Sequence, residues 1–325
     1  QLQPSQPPML GDYDGTKPNI IGQHLAWSRE ANINLWVTGW RGPSTKEDQT
    51  IRDVIMKHPD LPGTKIALLY QTNTRIDLRG DSSLDSIYRD VEYIARTYFD
   101  NPNYLRIDGR PVLYLYLSRV LHRNLILEQV VDLMRQAAAD NGGHNVYIIG
   151  DQAFGDAPRP GASYDPFELL DSVTNYDVYG DIRRVGYARQ DGVMEYTDKQ
   201  RRWRDAALAS ANCDFIPSVT PGFNDGPGHS PLSRQVHESA DPGSLFRRLL
   251  DNALDLADSS RSRMVMITSW NGFHDDTQIE PVLEAPVTRQ ATGAYNQMQL
   301  NYQGYGKLFL NIIRQTIQKK KSSAG

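Results

Sequence analysis

The sequence predicts an α/β chain folded as a (β/α)8 barrel of the TIM type, on three observations. Short apolar runs recur along its 325 residues. They are continuous, not alternating, which is the pattern of strands buried on both faces. Between them lie amphipathic stretches with apolar residues at i, i+3, i+4 and i+7, and such alternation builds right-handed βαβ units around a parallel sheet.

Segment 17–32, KPNIIGQHLAWSREAN, reads as a helix and leads into the first apolar run, INLWVTGW at 33–40. KIALLY at 65–70, PVLYLYLS at 111–118 and NVYIIG at 145–150 are the next three strands. Helices are expected between them at 85–99 and 125–143, the second stopped by Asn141-Gly142-Gly143. DSVTNYDVYG at 171–180, DFIPSVTPG at 214–222 and RMVMITSW at 263–270 complete seven strands, with a further helix at 243–260. An eighth strand belongs before the helix at 17–32. Either it lies outside this chain, or the barrel is incomplete, or another chain supplies it, which leaves a homo-oligomer or a complementing chain open as partner. Residues 1–10 read as an extended lead-in, 11–315 as one barrel domain, and 316–325 as a disordered basic tail.

Composition excludes several classes. A net charge of -4 argues against a surface built to hold nucleic acid. No stretch approaches the roughly 20 apolar residues of a membrane span. The single cysteine, Cys213, precedes a buried-strand pattern and reads as a core thiol. His274, Asp275 and Asp276 are consecutive and poorly spaced to converge on one ion, so no metal or other cofactor is expected.

In this architecture the C-terminal ends of the strands build the site. Those ends carry Trp40-Arg41, Tyr70-Gln71, Ser118-Arg119, Asp151-Gln152, Tyr176, Asp177 and Tyr179, Phe223-Asn224, and the closing run from Trp270 to Glu280. Aromatic faces suit the C–H side of a sugar ring, while amides, acids and arginine suit its hydroxyls. A carbohydrate is the ligand class such a set favours.

Three stretches, YDGTKPNIIGQHLAWSREANINLWVTGWRGP, YFDNPNYLRIDGRPVLYLYLSR and ITSWNGFHDDTQIEP, resemble glycoside hydrolase family 99, the endo-α-mannosidases, and their family-99-like relatives in polysaccharide-biosynthesis loci. The resemblance runs from Gly11 to about Asn311. It implies a retaining glycosidase acting on a mannose-containing oligosaccharide or polysaccharide; the compartment stays open, with a secreted, periplasmic or cell-surface setting favoured over the cytoplasm. The family's closing motif places two glutamates where this chain has Gly272 and Asp275. The second is the general acid that protonates the leaving oxygen. The first is the base that takes the proton of the 2-hydroxyl. Asp275 keeps an acid one methylene shorter, whereas Gly272 offers no base; Glu280 remains as a further candidate carboxylate. By the same resemblance Tyr176 or Tyr179 is a sugar-binding tyrosine and Phe223 stands where a tyrosine is usual. The common Trp-Trp pair reads Trp40-Arg41. Trp40, Arg41, Tyr70, Gln71, Tyr176, Tyr179, Phe223, Asn224, Trp270, Asn271 and His274 are therefore the expected substrate contacts, with Asp275 and Glu280 catalytic. Two readings stay open: a glycosidase with altered catalysis, and a non-catalytic glycan-binding or assembly protein on the same barrel. Gly272 itself is open to a structural explanation, a turn that needs positive φ.

Overall fold

A computed structural model of the chain describes residues 7–76, 84–183, 190–210, 213–222, 243–257, 261–275, 277–284 and 304–323. Helix α1 (Pro18–Glu30) starts with a proline in its first turn, where the missing N–H costs nothing. Strand β1 (Leu35–Trp40) follows and pairs in parallel with β2 (Lys65–Tyr70), in register from Leu35↔Lys65 to Trp40↔Tyr70. The ladder continues through β4 (Arg110–Leu115), β5 (Tyr147–Asp151), β6 (Ser172–Thr174) and β7 (Asp214–Ile216), all parallel. Two-residue β3 (Arg106–Ile107) turns back antiparallel on β4. After Pro217 the chain forms β8 (Ser218–Val219), which pairs in parallel with β9 (Met266–Ile267). All seven apolar runs thus contain strand residues.

Alternation along each strand explains why the runs are continuous. One set of side chains, Leu35, Val37, Ala67, Leu69, Val112, Tyr114, Tyr147, Ile149, Ile216, Met264 and Met266, forms a single cluster drawn from both ends of the strand series. A flat sheet would hold its first and last strands far apart, so the sheet curls on itself and encloses this cluster. The other set, including Ile66, Leu68, Leu113, Leu115, Ile148, Val173 and Phe215, packs outward on helices. These are α4 (Asp85–Ile94), which continues as a π turn (Ala95–Phe99), and α6 (Leu127–Asp140). Among the described residues β1 and β9 are not joined by a ladder; the Trp36 and Trp270 rings meet there instead, 6.1 Å apart.

Around the strand ends and the outer layer lie shorter helices: α2 (Lys46–Thr50), α3 (Thr72–Arg75), α5 (Ser118–Arg123), α7 (Asp165–Leu169) and α8 (Val178–Arg183). Longer α9 (Gln190–Ala209) and α10 (Ser244–Ala257) cover the late strands. Cys213 is fully buried. No helix among the described residues is long and apolar enough to cross a membrane.

The C-terminal segment departs from expectation. Helix α11 runs Leu308–Ser323, so residues 316–323 are helical where a disordered basic tail is expected. Its inner face buries Phe309, Ile312, Ile313 and Thr316. Lys320 meets Asp251, at 3.6 Å, and Asp255, both on α10. The lysines that made the segment read as a solvated tail are the polar face of an amphipathic helix. At the other end, Pro7–Met9 is extended and pairs with 281–283 through Met9 N–H to the Pro281 carbonyl (2.8 Å) and Leu283 N–H to that of Pro7 (3.0 Å).

Candidate active site

A cavity of about 400 Å³ opens at the C-terminal ends of the strands, lined by residues of β1, β2, β4, β5, β6 and β9 and of the loops after them. Arg41, Gln71, Tyr176, Trp270 and Asn271 line it, as the strand-end reading expects. Trp40 and Tyr70 do not. Period-two alternation turns both outward, and both are fully buried. The indole N–H of Trp40 donates to Asp48 (2.9 Å) and the phenol of Tyr70 to Asp90 (2.8 Å). Their neighbours Arg41 and Gln71 take the cavity side. His274 is exposed and outside the lining. Phe223, Asn224 and Asp276 lie outside the described residues, as does the side chain of Tyr179.

Asp151, at the end of β5, is the buried carboxylate of the cavity wall, 2% exposed. It accepts from the Tyr176 N–H (2.9 Å), the Leu117 N–H (3.2 Å) and the Arg119 guanidinium (2.5 Å). Burial pushes its carboxyl above the usual range, and Arg119 and the two amides offset this only in part. Both oxygens are engaged, so Asp151 holds the turn that presents Tyr176. The Tyr176 ring is 39% exposed and meets Tyr116 edge-on at 5.2 Å. Burial, and then the nearby Tyr116 and Asp275, push its phenol up to about 12.

The loop after β9 is cross-tied. Ser269 N–H donates to the Thr277 carbonyl (2.8 Å), and Ile279 N–H to that of Ser269 (3.0 Å). The Ser269 and Thr277 hydroxyls lie 2.7 Å apart; Gly272 N–H donates to Ser269 Oγ (2.9 Å), and Thr277 Oγ1 donates to Asp275 Oδ1 (2.8 Å). Gly272 is absent from the positive-φ residues, so it is not a backbone requirement. What it supplies is room: a Cβ there would overlap Ser269 Oγ and Thr277 Oγ1 and lie 2.8 Å from Asp275 Oδ1. A side chain at 272 must therefore displace the ring of hydroxyls. We expect Gly272→Ala and Gly272→Glu each to cost ~1–3 kcal/mol by overpacking. The check is the urea midpoint of both variants; an unchanged midpoint would mean that the ring yields freely.

Glu280 is wholly buried and outside the lining. Its Oε1 lies 3.2 Å from His24 Nε2, and its Oε2 accepts from the Tyr13 phenol at 2.7 Å. Burial, then Glu280 itself, raises the Tyr13 phenol; the Asn271 side chain hydrogen-bonds to the same tyrosine. His24 also packs on Trp270, with ring centroids 5.4 Å apart. Tyr13 and His24 thus tie Glu280 to the two cavity residues Trp270 and Asn271. Sequence reasoning missed both, because 256 and 267 residues separate them from Glu280. Replacing Tyr13 by Phe is expected to cost ~1–3 kcal/mol, the penalty of a buried carboxylate oxygen left without its donor. Thermal unfolding reads this directly, and a neutral substitution would mean that the bond contributes nothing net.

Glu47 and Asn175 line the cavity and were not singled out from the sequence. Glu47 follows β1 closely enough that the strand-end rule, extended by a few residues, would have found it. Asn175 is 2% exposed, and its Nδ2 donates to Asp181 at 3.3 Å.

Known proteins share the fold that carries this cavity. The family model described as glycosyltransferase WbsX matches residues 82–287, and that of glycosyl hydrolase family 99 matches residues 2–135. Rat glycoprotein endo-alpha-1,2-mannosidase is 23% identical over 329 residues, covering 96% of this chain and 63% of its own length. The uncharacterized protein WxcX of Xanthomonas campestris is 27% identical over 301 residues, covering 86% of this chain and 41% of that protein. This chain therefore spans about three fifths or less of the relatives' lengths. Among solved structures, the GH99 endo-alpha-mannosidase of Bacteroides thetaiotaomicron superposes with a TM-score of 0.67 at 20% identity, covering 99% of this chain and 90% of that one. The likeness establishes the barrel-type α/β fold.

Proposed function

This chain belongs to the WbsX glycosyltransferase family and is also family-99-like, and from that premise we propose that its strand-end cavity binds a mannose-containing oligosaccharide and works on its glycosidic bond. The observation that supports this most is the pairing, around one cavity of about 400 Å³, of the aromatic side chains Tyr176 and Trp270 with the polar groups of Arg41, Gln71 and Asn271. That is the division of labour a pyranose requires: stacking for its C–H face and hydrogen bonds for its edge.

In this reading Asp275 is the general acid, protonating the leaving oxygen as the retaining endo-α-mannosidase pattern requires. Its carboxylate lies in the loop that also supplies Trp270 and Asn271, within electrostatic reach of Tyr116 and Tyr176. Glu280 serves by position, through Tyr13 and His24, and does not reach the sugar. A second reading, a glycan-binding protein without turnover, draws support from Gly272. The hydroxyl ring occupies the space where a base at that position would begin.

The test is prolonged incubation with α-mannan oligosaccharides beside the Asp275→Asn variant, with products read by mass spectrometry. Shortened and transferred glycans are both registered, so hydrolysis and transfer are tested together. Product from the parent alone supports the first reading; none from either protein supports the second.

A further inference from the structure

We infer that the mouth of this cavity takes an acidic sugar, a hexuronate whose carboxylate is gripped by Arg41; the inference rests on the glycan reading above. Two of the arginines around the strand ends are already committed. Arg75 holds Asp90 through two bonds, Nε at 2.7 Å and Nη2 at 2.6 Å. Arg119 holds Asp151 at 2.5 Å. Arg41 lines the cavity with a side chain 56% exposed, and its ion pair with Glu47 is 3.5 Å long. That exceeds the roughly 2.7–2.9 Å of a charge-assisted hydrogen bond. Most of the guanidinium fork is thus available, and its planar N–H pairs match a carboxylate two at a time.

The surrounding backbone holds this group in place. The Trp40 carbonyl before it accepts from Gln71 N–H at 3.1 Å. Gly42 after it sits at φ +127°, a turn that glycine adopts freely. A side chain there would meet the Arg75 guanidinium, whose Nη1 is 2.7 Å from the Cβ position. The Arg75 guanidinium, paired with Asp90, thus packs against the backbone just after Arg41. Glu47 is set by the first turn of α2, where Thr45 Oγ1 accepts from Asp48 N–H at 3.2 Å. It is 41% exposed, so its long pair with Arg41 is weakly held. Glu47 competes with an incoming carboxylate and leaves a neutral sugar little reason to displace it.

The experiment titrates the full chain, by calorimetry at low salt, with two mannose trisaccharides of one linkage. They differ only at the terminal residue, which carries either CH₂OH or a carboxylate at C6. The acidic glycan is expected to bind about tenfold tighter, the scale of one charge-assisted hydrogen-bond pair, and its advantage shrinks as NaCl is raised. Arg41→Gln should abolish the preference, and Glu47→Gln should widen it. Equal affinities in the parent, a preference that survives Arg41→Gln, or a narrower preference in Glu47→Gln each overturns the inference while the neutral glycan still binds. If neither glycan binds, the glycan reading itself fails and takes this inference with it.

Discussion

Asp48→Ala is expected to lower stability by ~3–5 kcal/mol, the scale for removing one member of a buried charged network. Asp48 has no solvent exposure. Its carboxylate accepts from Trp40 Nε1 (2.9 Å), Ser44 N–H (2.9 Å), Tyr93 (2.7 Å) and Tyr98 (2.5 Å). Truncation leaves those donors facing a void. Burial pushes the carboxyl up, but the bonds from Tyr98, Trp40, Tyr93 and Ser44 outweigh it, and the net position is below the usual carboxylate range. A group depressed in this way contributes stability that is fully present above its unfolded value, about 4, and lost as pH falls through the folded one. The gap between parent and variant in urea midpoints should be widest at neutral pH and should narrow in acid. A gap that stays constant would assign the loss to packing, not to the charge. Asp48 also fixes the turn that carries Arg41 and Glu47, so the variant should lose glycan affinity along with stability.

Asp275→Asn is expected to remove ~10²–10⁴-fold of any turnover, the usual contribution of a general acid, or roughly 3–5 kcal/mol of barrier. The substitution is nearly isosteric, and the amide oxygen still accepts from Thr277 Oγ1. The loop should therefore keep its cross-ties and the protein its melting temperature, so a fall in rate reports chemistry and not unfolding. Asp275 is not itself among the lining residues, so turnover unaffected in the variant would move the proton donor to Glu47 or Asp151, the two carboxylates of the cavity wall. The expectation is specific to position 275. A carboxylate restored at 272 alone enters space held by Ser269 and Thr277, so regaining a base calls for change at those residues as well.

Much of the framework is legible in the sequence, for a definable reason. Strands buried on both faces must be apolar at successive positions, and that signal is local: all seven runs contain strand residues, and the segments at 17–32, 85–99 and 125–143 are helical as expected. The strand-end rule found Arg41, Gln71, Tyr176, Trp270 and Asn271 because topology alone puts them at the cavity. It named Trp40 and Tyr70 too, one residue from the right ones, because a continuous apolar run does not reveal which parity faces inward. Register does, and register is a property of strand pairs. The clusters around Asp48 and Glu280 were not legible, because the partners that complete them, Tyr93 and Tyr98 for Asp48 and His24 and Tyr13 for Glu280, come from 45 to 267 residues away. The tail was misread for the opposite reason: its local composition was heeded and its amphipathic period was not.

The seam at which Trp36 meets Trp270 has a consequence for how the cavity fits its occupant. Elsewhere the wall is a parallel ladder, whose spacing of about 4.8 Å hardly varies. Between β1 and β9, among the described residues, contact between indole rings stands in place of a ladder, with Met264 and Met266 in the interior cluster. Thioether side chains and ring pairs tolerate small rotations at little cost. That side of the bore is therefore expected to yield more readily than the laddered side formed by β2, β4 and β5. A wider occupant is expected to be accommodated at the seam, while the polar residues that end the laddered strands keep their spacing.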